Sequence, residues 1–243
     1  MQTADIHLSV VIPAFNEERR IGRTLEIVSA YLLAQQYRSE LIVVNDGSAD
    51  RTAEIVSACE YGMPIRLLVH ERNQGKGASV RDGMLASRGA HVLFSDADLS
   101  TPIEEVGKFW SKFSDGADVV IGSRALPDSE ILERQPKYRE FMGRVFNVFV
   151  QSLAIRGISD TQCGFKAFTH NAAQTIFSRQ RIMGWGFDAE LLFIARRHGL
   201  QIAQVPVRWI NSRDSRINSI RDSYRMFAEL LIIRKNGRRG FYD

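Results

Sequence analysis

The sequence predicts an α/β fold, a mainly parallel sheet flanked by helices, on three observations. Short β-branched runs alternate with segments of helical periodicity over the first 125 residues. Each early run ends in glycine, asparagine, aspartate or proline. The 243 residues are 44% hydrophobic, enough for one proper core.

The elements follow in order. Leu8–Ile12 is the first strand, closed by Pro13, and Ile21, Leu25, Val28 and Leu32 then recur at helical spacing behind Asn16 as N-cap. Leu41–Val44 is the second strand, with an Asp46-Gly47 turn and a helix over about 51–60. Ile65–Val69 precedes Asn73-Gln74-Gly75-Lys76-Gly77 and a helix reaching about Ser87. His91–Ser95 is the fourth strand, and Thr101-Pro102-Ile103-Glu104 reads as a capping box opening a helix. Asp118–Ile121 is the fifth strand. Beyond it the pattern is less regular. It predicts helices over Phe141–Ile155 and Phe187–His198, a strand Ile202–Val207, and a C-terminal helix with Ile217, Ile220, Tyr224, Phe227 and Leu231 on one face. No repeat or linker interrupts the chain, so one domain is expected over 1–243, in halves of about 7–125 and 126–233 with a basic tail at 234–243.

Composition narrows the function classes. Cys59 and Cys163 form neither a metal-ligand spacing nor a disulfide framework, which points to a reducing compartment. The start of the chain lacks the basic and apolar regions of a signal peptide. No apolar run approaches the roughly 18 residues of a membrane span. The net charge of +4 divides into −5 over residues 1–120 and +9 over 121–243. Uneven solvated charge explains that as well as an anionic partner for the back half does. No nucleic-acid partner is expected.

In open α/β sheets, ligands sit beyond the carboxyl ends of the strands. Pro13–Glu17, Asn45–Ser48, Asn73–Gly77 and Asp96–Ser100 all lie there, so a parallel sheet brings them to one rim. The glycine patterns of dinucleotide and P-loop sites do not occur. Asp96 and Asp98 are two apart at a strand end, where alternate side chains share a face. Two carboxylates so placed repel unless a cation lies between them, and their hard oxygens suit Mg²⁺ or Mn²⁺ with a diphosphate. Aspartates after a strand also form turns and caps, so the residues alone leave both uses open.

The motifs VVIPAFNEE, VVNDGSADRT, NQGKGASVRDGM, FSDADLSTP and VIGSR, in that order and spacing, resemble the nucleotide-sugar half of inverting family 2 glycosyltransferases. In the second half, GISDTQCGFKAF, GWGFDAELLFIARRHG, QVPVRW and DSRINSIRDS are similar to the dolichyl-phosphate β-glucosyltransferase branch and its polyprenyl-phosphate relatives. The resemblance covers about residues 7–233 and implies a GT-A, Rossmann-like fold with a basic C-terminal helical extension. It implies that Pro13, Phe15, Glu17, Asn45 and Ala97 line the nucleotide pocket. Asp46 would accept a hydrogen bond from uracil, and Lys76 would lie near the phosphates. Asp96 would reach the ribose or the metal, and Asp98 would hold Mg²⁺ or Mn²⁺ against the diphosphate. Family members often carry an aspartate where this chain has Asn45.

The same resemblance places Arg124, Gln162, Lys166 and Arg216 around the acceptor phosphate, with Arg216 also stabilising departing UDP. Asp188, or its neighbour Glu190, stands where relatives with hydroxyl acceptors keep a base. The dipole of a helix start explains both acids equally well. Cys163 is expected to pack rather than react. The expected reaction is hexose transfer, glucose above all, from a UDP-sugar to a dolichyl or undecaprenyl phosphate with inversion. The rivals are a saccharide hydroxyl acceptor and a non-catalytic nucleotide-sugar-binding module. The expected location is the cytoplasm, peripherally on the cytoplasmic face of a membrane. Contact with its anionic surface falls to segment 134–156, including Arg134, Lys137, Arg139 and Arg144, and to the C-terminal helix with Arg234, Lys235, Arg238 and Arg239.

Overall fold

The protein is described from a computed structural model covering residues 6–58, 60–133, 147–151, 155–211 and 219–243, with side chains from 225 onward in the last segment. Its centre is a seven-stranded sheet: β1 (Leu8–Ala14), β2 (Ser39–Asn45), β3 (Ile65–Val69), β4 (His91–Ser95), β5 (Val119–Ser123), β7 (Phe165–Thr169) and β8 (Ile202–Pro206). The order is β3-β2-β1-β4-β7-β5-β8, parallel throughout except for β7. β6 (Glu130–Glu133) and β9 (Arg208–Ile210) form a separate parallel pair. The central strands carry Val, Ile and Leu on both faces, as a sheet covered on both sides requires, and two apolar clusters lie against those faces.

The front half follows the predicted alternation, with α1 (Ile21–Leu33), α2 (Thr52–Ala58) and α3 (Lys76–Ala86) each after its strand. Two caps differ. Asn16 is not the N-cap of α1, which starts at Ile21. Asn16 has φ 52° and its Oδ1 accepts from the Ala49 amide, tying the loop after β1 to the loop after β2. Nor does Thr101 cap a helix. The segment Ile103–Lys108 is 3₁₀, continues into α4 (Phe109–Ser114), and has Pro102 at its N-cap, while the Thr101 hydroxyl is buried beside Cys163 Sγ.

The back half departs further. β7 was not foreseen: its burial is continuous and includes Lys166, so it lacks the two-residue alternation that marks a strand. The helix His170–Phe177, capped by Thr169, was missed as well. Of the helix expected over Phe141–Ile155, residues 147–151 are helical; residues 134–146 and 152–154 lie outside the described residues. The helix Phe187–Arg197 agrees with expectation. The C-terminal helix Ser219–Arg238 buries Leu230, Ile233 and Gly237, while Leu231 is exposed. The predicted face is therefore rotated. Gly237 decides it, because a Cβ there would lie 2.6 Å from the Phe193 ring. The last ten residues are also no free tail. They finish the helix and fold back, burying Tyr242, whose hydroxyl donates to Glu190.

Candidate active site

The loops after β1, β2, β3 and β4 meet at one rim and are laced together. Asp46 N–H donates to Ala14 O, Asn16 N–H to Ser48 Oγ, and Glu17 N–H to Thr52 Oγ1. Gly47 has φ 67°, and a Cβ there would lie 2.5 Å from the Arg72 carbonyl carbon, so the second loop can pack on the third only with glycine. Pro13 near the end of β1 and Phe15 and Glu17 in the loop after it are half-buried, and Glu17 pairs with Arg20. Asn45 ends β2 with its Oδ1 accepting from Ser48 N–H, and Ala97 is buried between the two aspartates.

Asp46 is turned inward. Its Oδ1 accepts from Gln74 N–H, its Oδ2 from Gly75 N–H, and His70 Nδ1 lies 2.7 Å from Oδ1. The expectation of a hydrogen bond from uracil is corrected accordingly: this carboxylate, 3% exposed, is already committed to the loop that carries Lys76.

Lys76 and the acidic doublet form the rim's charged centre. Lys76 Nζ lies 2.5 Å from Asp96 Oδ1, with the Trp185 ring 5.4 Å away. Burial pushes the Lys76 ammonium down, but Asp96, Asp188 and Asp98 together hold it above its ordinary value. Asp96 is one-third exposed. Gly164 leaves it that room, since a Cβ at 164 would sit 2.0 Å from Asp96 Oδ2. Asp98 Oδ1 accepts from Ser100 N–H, and its other oxygen has no hydrogen bond among the described residues. Among those residues no group of three or more His, Cys, Asp or Glu could hold a metal unaided. With Asp96 one-third exposed and Asp98 bonded through Oδ1, the two could supply part of a cation's ligands, the rest coming from a diphosphate and water as is usual for Mg²⁺.

On the acceptor side the structure changes several roles. Lys166 is fully buried, with Nζ donating to Cys163 O at 2.6 Å and paired with Asp188 Oδ1 at 2.5 Å. It cannot grip a phosphate; it neutralises Asp188. Arg124 presents Nε and Nη2 to Asp160 at 2.6 and 2.9 Å and stacks over Trp209. That fork is occupied, a second correction to the phosphate-binding set. The Arg124 pair holds the Asp160 carboxyl down at about 2 against the penalty of burial. Gln162 keeps Nε2 buried without a hydrogen-bond partner among the described residues. Burial pushes the Cys163 thiol up to about 11, consistent with packing. Arg216 lies outside the described residues, as do Arg134, Lys137, Arg139 and Arg144.

The two acids at the start of Phe187–Arg197 separate. Glu190 accepts from Arg181 N–H, Ile182 N–H and the Tyr242 hydroxyl, a structural knot. Asp188 is close enough to Lys76 and Asp96 to feel their charge, and burial pushes its carboxyl up despite Lys166. Sequence reading missed the support of Trp185. Glu229, from the C-terminal helix, accepts from Gly186 N–H at 2.7 Å and so fixes the loop holding the Trp185 ring near Lys76. The glycines of GWG were the available signal: a Cβ at 184 or 186 would meet the Glu229 carboxylate at 2.4 or 2.5 Å.

A largely parallel sheet with four loops converging on an acidic doublet defines a GT-A glycosyltransferase architecture. The pattern described as Glycosyl transferase family 2 matches residues 9–177, and the chain belongs to that family and is a glycosyltransferase. It is 41% identical over 226 residues to a dolichyl-phosphate beta-glucosyltransferase of Trichomonas vaginalis, covering 88% of this chain and 67% of the relative. The enzyme of that name from Homo sapiens is 35% identical, covering 93% and 74%. Among solved structures, glucosyl-3-phosphoglycerate synthase from Mycobacterium tuberculosis, in complex with Mn²⁺, UDP and glucosyl-3-phosphoglycerate, has a TM-score of 0.71. Its identity is 23%, over 95% of this chain and 80% of that one, and it shares the fold.

Proposed function

We propose that this chain transfers glucose from UDP-glucose to a dolichyl or other polyprenyl phosphate, with inversion at the anomeric carbon. The observation that carries the reading is the convergence of Lys76, Asp96, Asp98 and Asp188 at one sheet rim. The named activity of the relatives supports the acceptor. Pro13, Phe15, Glu17, Asn45 and Ala97 line the nucleotide pocket, with Asp46 shaping it from beneath. Asp96 and Asp98 would hold Mg²⁺ or Mn²⁺, which supplies charge neutralisation for the diphosphate. Lys76 adds a fixed cation on the same side, where charge grows as UDP departs.

The acceptor oxygen forms the new bond to the anomeric carbon as the bond to UDP breaks, and UDP leaves with the electron pair. A phosphate monoester is largely anionic at neutral pH, its second pKa being about 6, so its oxygen needs orientation more than deprotonation. Asp188, anchored by Lys166, orients the sugar or the acceptor. Gln162 is an acceptor-side donor with no hydrogen-bond partner among the described residues. A saccharide hydroxyl acceptor would instead need a base. Asp188 is the one candidate of the two acids, because Glu190 is committed to the Arg181–Ile182 loop.

The lipid reaches this site from a membrane surface by peripheral docking. No described helix is long and apolar enough to cross a membrane. Exposed Val148, Phe149, Leu231 and Ile232 lie on segment 147–151 and the C-terminal helix, which touch through Phe149 and Phe227. Exposed Arg234, Lys235, Arg238 and Arg239 follow in the same helix and turn, a composition suited to an anionic interface. A cytoplasmic-face location accords with a soluble nucleotide-sugar donor.

The test offers UDP-glucose, UDP-galactose, UDP-N-acetylglucosamine and GDP-mannose with a polyprenyl phosphate or free sugars, and reads the product by mass and anomeric coupling. A β-linked glucosyl lipid phosphate is expected. Transfer to free sugars alone overturns the lipid reading, and preference for GDP-mannose overturns the donor.

A further inference from the structure

His70, the residue after β3, belongs to none of the motifs and makes no contact with the acidic doublet. Its backbone N–H donates to Asn45 O at 2.9 Å, and its side chain is only 9% exposed. The ring is held between two carboxylates, with Nδ1 2.7 Å from Asp46 Oδ1 and Nε2 3.1 Å from Asp82 Oδ2. A carboxylate only accepts, so in either contact the ring nitrogen is the donor, and the shorter of the two is Nδ1–H to Asp46. Asp82 is itself held by Arg81 Nε at 2.8 Å. The bridge thus runs from α3 back to the end of β2.

What Asp46 does with its other lone pairs gives the bridge its meaning. Its two oxygens accept from Gln74 and Gly75, the residues that lead into Lys76. Gly75 has φ 101°, and a Cβ there would lie 2.4 Å from Met183 O, so this turn has one way to run. Gly77 N–H then donates to Met183 O, fixing the far side of Lys76.

We propose that His70 is a positioning residue for nucleotide binding: it holds Asp46 against the Gln74 and Gly75 amides and thereby sets Lys76 opposite Asp96. Resting on the UDP reading above, the inference adds a specificity-side residue to that site. A loop held this way meets the diphosphate without first being ordered, and binding is tighter by what ordering would have taken.

The amide of asparagine can stand where Nδ1 stands, whereas the amide of glutamine reaches the Nε2 position. His70→Asn therefore keeps the donor to Asp46, and His70→Gln and His70→Leu lose it. UDP affinity by calorimetry in Mg²⁺ is expected to weaken about tenfold in the Gln and Leu variants, the loss of one hydrogen bond to a charged group. His70→Asn should stay within about threefold of wild type, with the KM for the polyprenyl phosphate unchanged in all three. Asp82→Asn, at a partly exposed position, should weaken UDP less than His70→Leu. Amide hydrogen exchange without ligand gives an independent readout. Gln74 and Gly75 should exchange faster in His70→Leu and His70→Gln but not in His70→Asn. Equal UDP affinity across the series, equal losses in Asn and Leu, or unchanged exchange at Gln74 and Gly75 overturns the proposal. If the wild-type chain binds no UDP, the donor reading fails, and exchange still decides whether His70 holds the loop.

Discussion

The charges on the nucleotide side and those on the acceptor side are built on opposite plans. Lys76 opens α3 and Asp96 follows β4, both partly open to solvent, and Asp98 takes one backbone amide and leaves an oxygen over among the described residues. Lys166 with Asp188, and Arg124 with Asp160, are closed pairs in or beside the core, each satisfied within the protein. In the proposed reaction the first set would meet a ligand's charge and the second would build the wall behind it. Both contain lysines, arginines and aspartates in compact motifs, so residue type alone does not separate them; burial and pairing do.

The largest effect expected from breaking that contrast is at Lys166. Lys166→Met leaves the Asp188 carboxylate buried and unpaired, and should cost about 3–5 kcal/mol in urea denaturation. Pairing it with Asp188→Leu should recover most of the stability and none of the activity. On the open side the pattern reverses. Asp98→Ala should lower kcat on the order of 10²–10³-fold, the scale of losing one electrostatic clamp on developing charge. Its unfolding free energy should stay within about 0.5 kcal/mol of wild type. Full turnover in EDTA would remove the metal role.

A smaller effect sharpens the closed side through pH. Arg124 holds Asp160 at about 2 against an ordinary value of 3.8. A depressed carboxyl contributes stability above its unfolded value that is lost as pH falls through the folded one. Roughly 2 kcal/mol should therefore disappear between about pH 4 and pH 2, and Asp160→Asn should flatten that slope. The smallest effect per residue concerns the basic end of the chain. Replacing Arg234, Lys235, Arg238 and Arg239 with Gln should weaken binding to anionic vesicles by about 1 kcal/mol per residue at low salt, with UDP affinity unchanged. Truncation from 234 is the wrong instrument, because it also removes buried Tyr242. Vesicle binding that ignores both salt and these substitutions would detach the basic helix from the membrane.

The front half was legible because its strands and helices follow local patterns, and its loops carry residues that one chemistry requires. The family resemblance put the acidic doublet and Lys76 at one site, and Lys76 does lie against Asp96. What escaped was set by tertiary contacts. β7 reads as no strand because Lys166 interrupts its apolar run, and only the Asp188 carboxylate opposite explains a lysine there. Leu231 looked like core because helical periodicity fixes spacing but not which neighbour closes in; Gly237 and the Phe193 ring decide that. Asp46 was placed at the base by the family resemblance, and its actual partners, Gln74 and Gly75, are 28 and 29 residues away, beyond the reach of local patterns.

β7 enters the sheet antiparallel, between β4 and β5, so a strand from the back half lies between two from the front. During synthesis, β4 and β5 emerge early but cannot be joined until residue 169 has left the ribosome. β5 waits longer still for β8, its partner at residues 202–206. Pairings at such separation close slowly. The nascent chain therefore elongates from Ser95 to Phe165–Thr169, about seventy residues, with the apolar edge of β4 uncovered, the interval in which a chaperone has the most to bind.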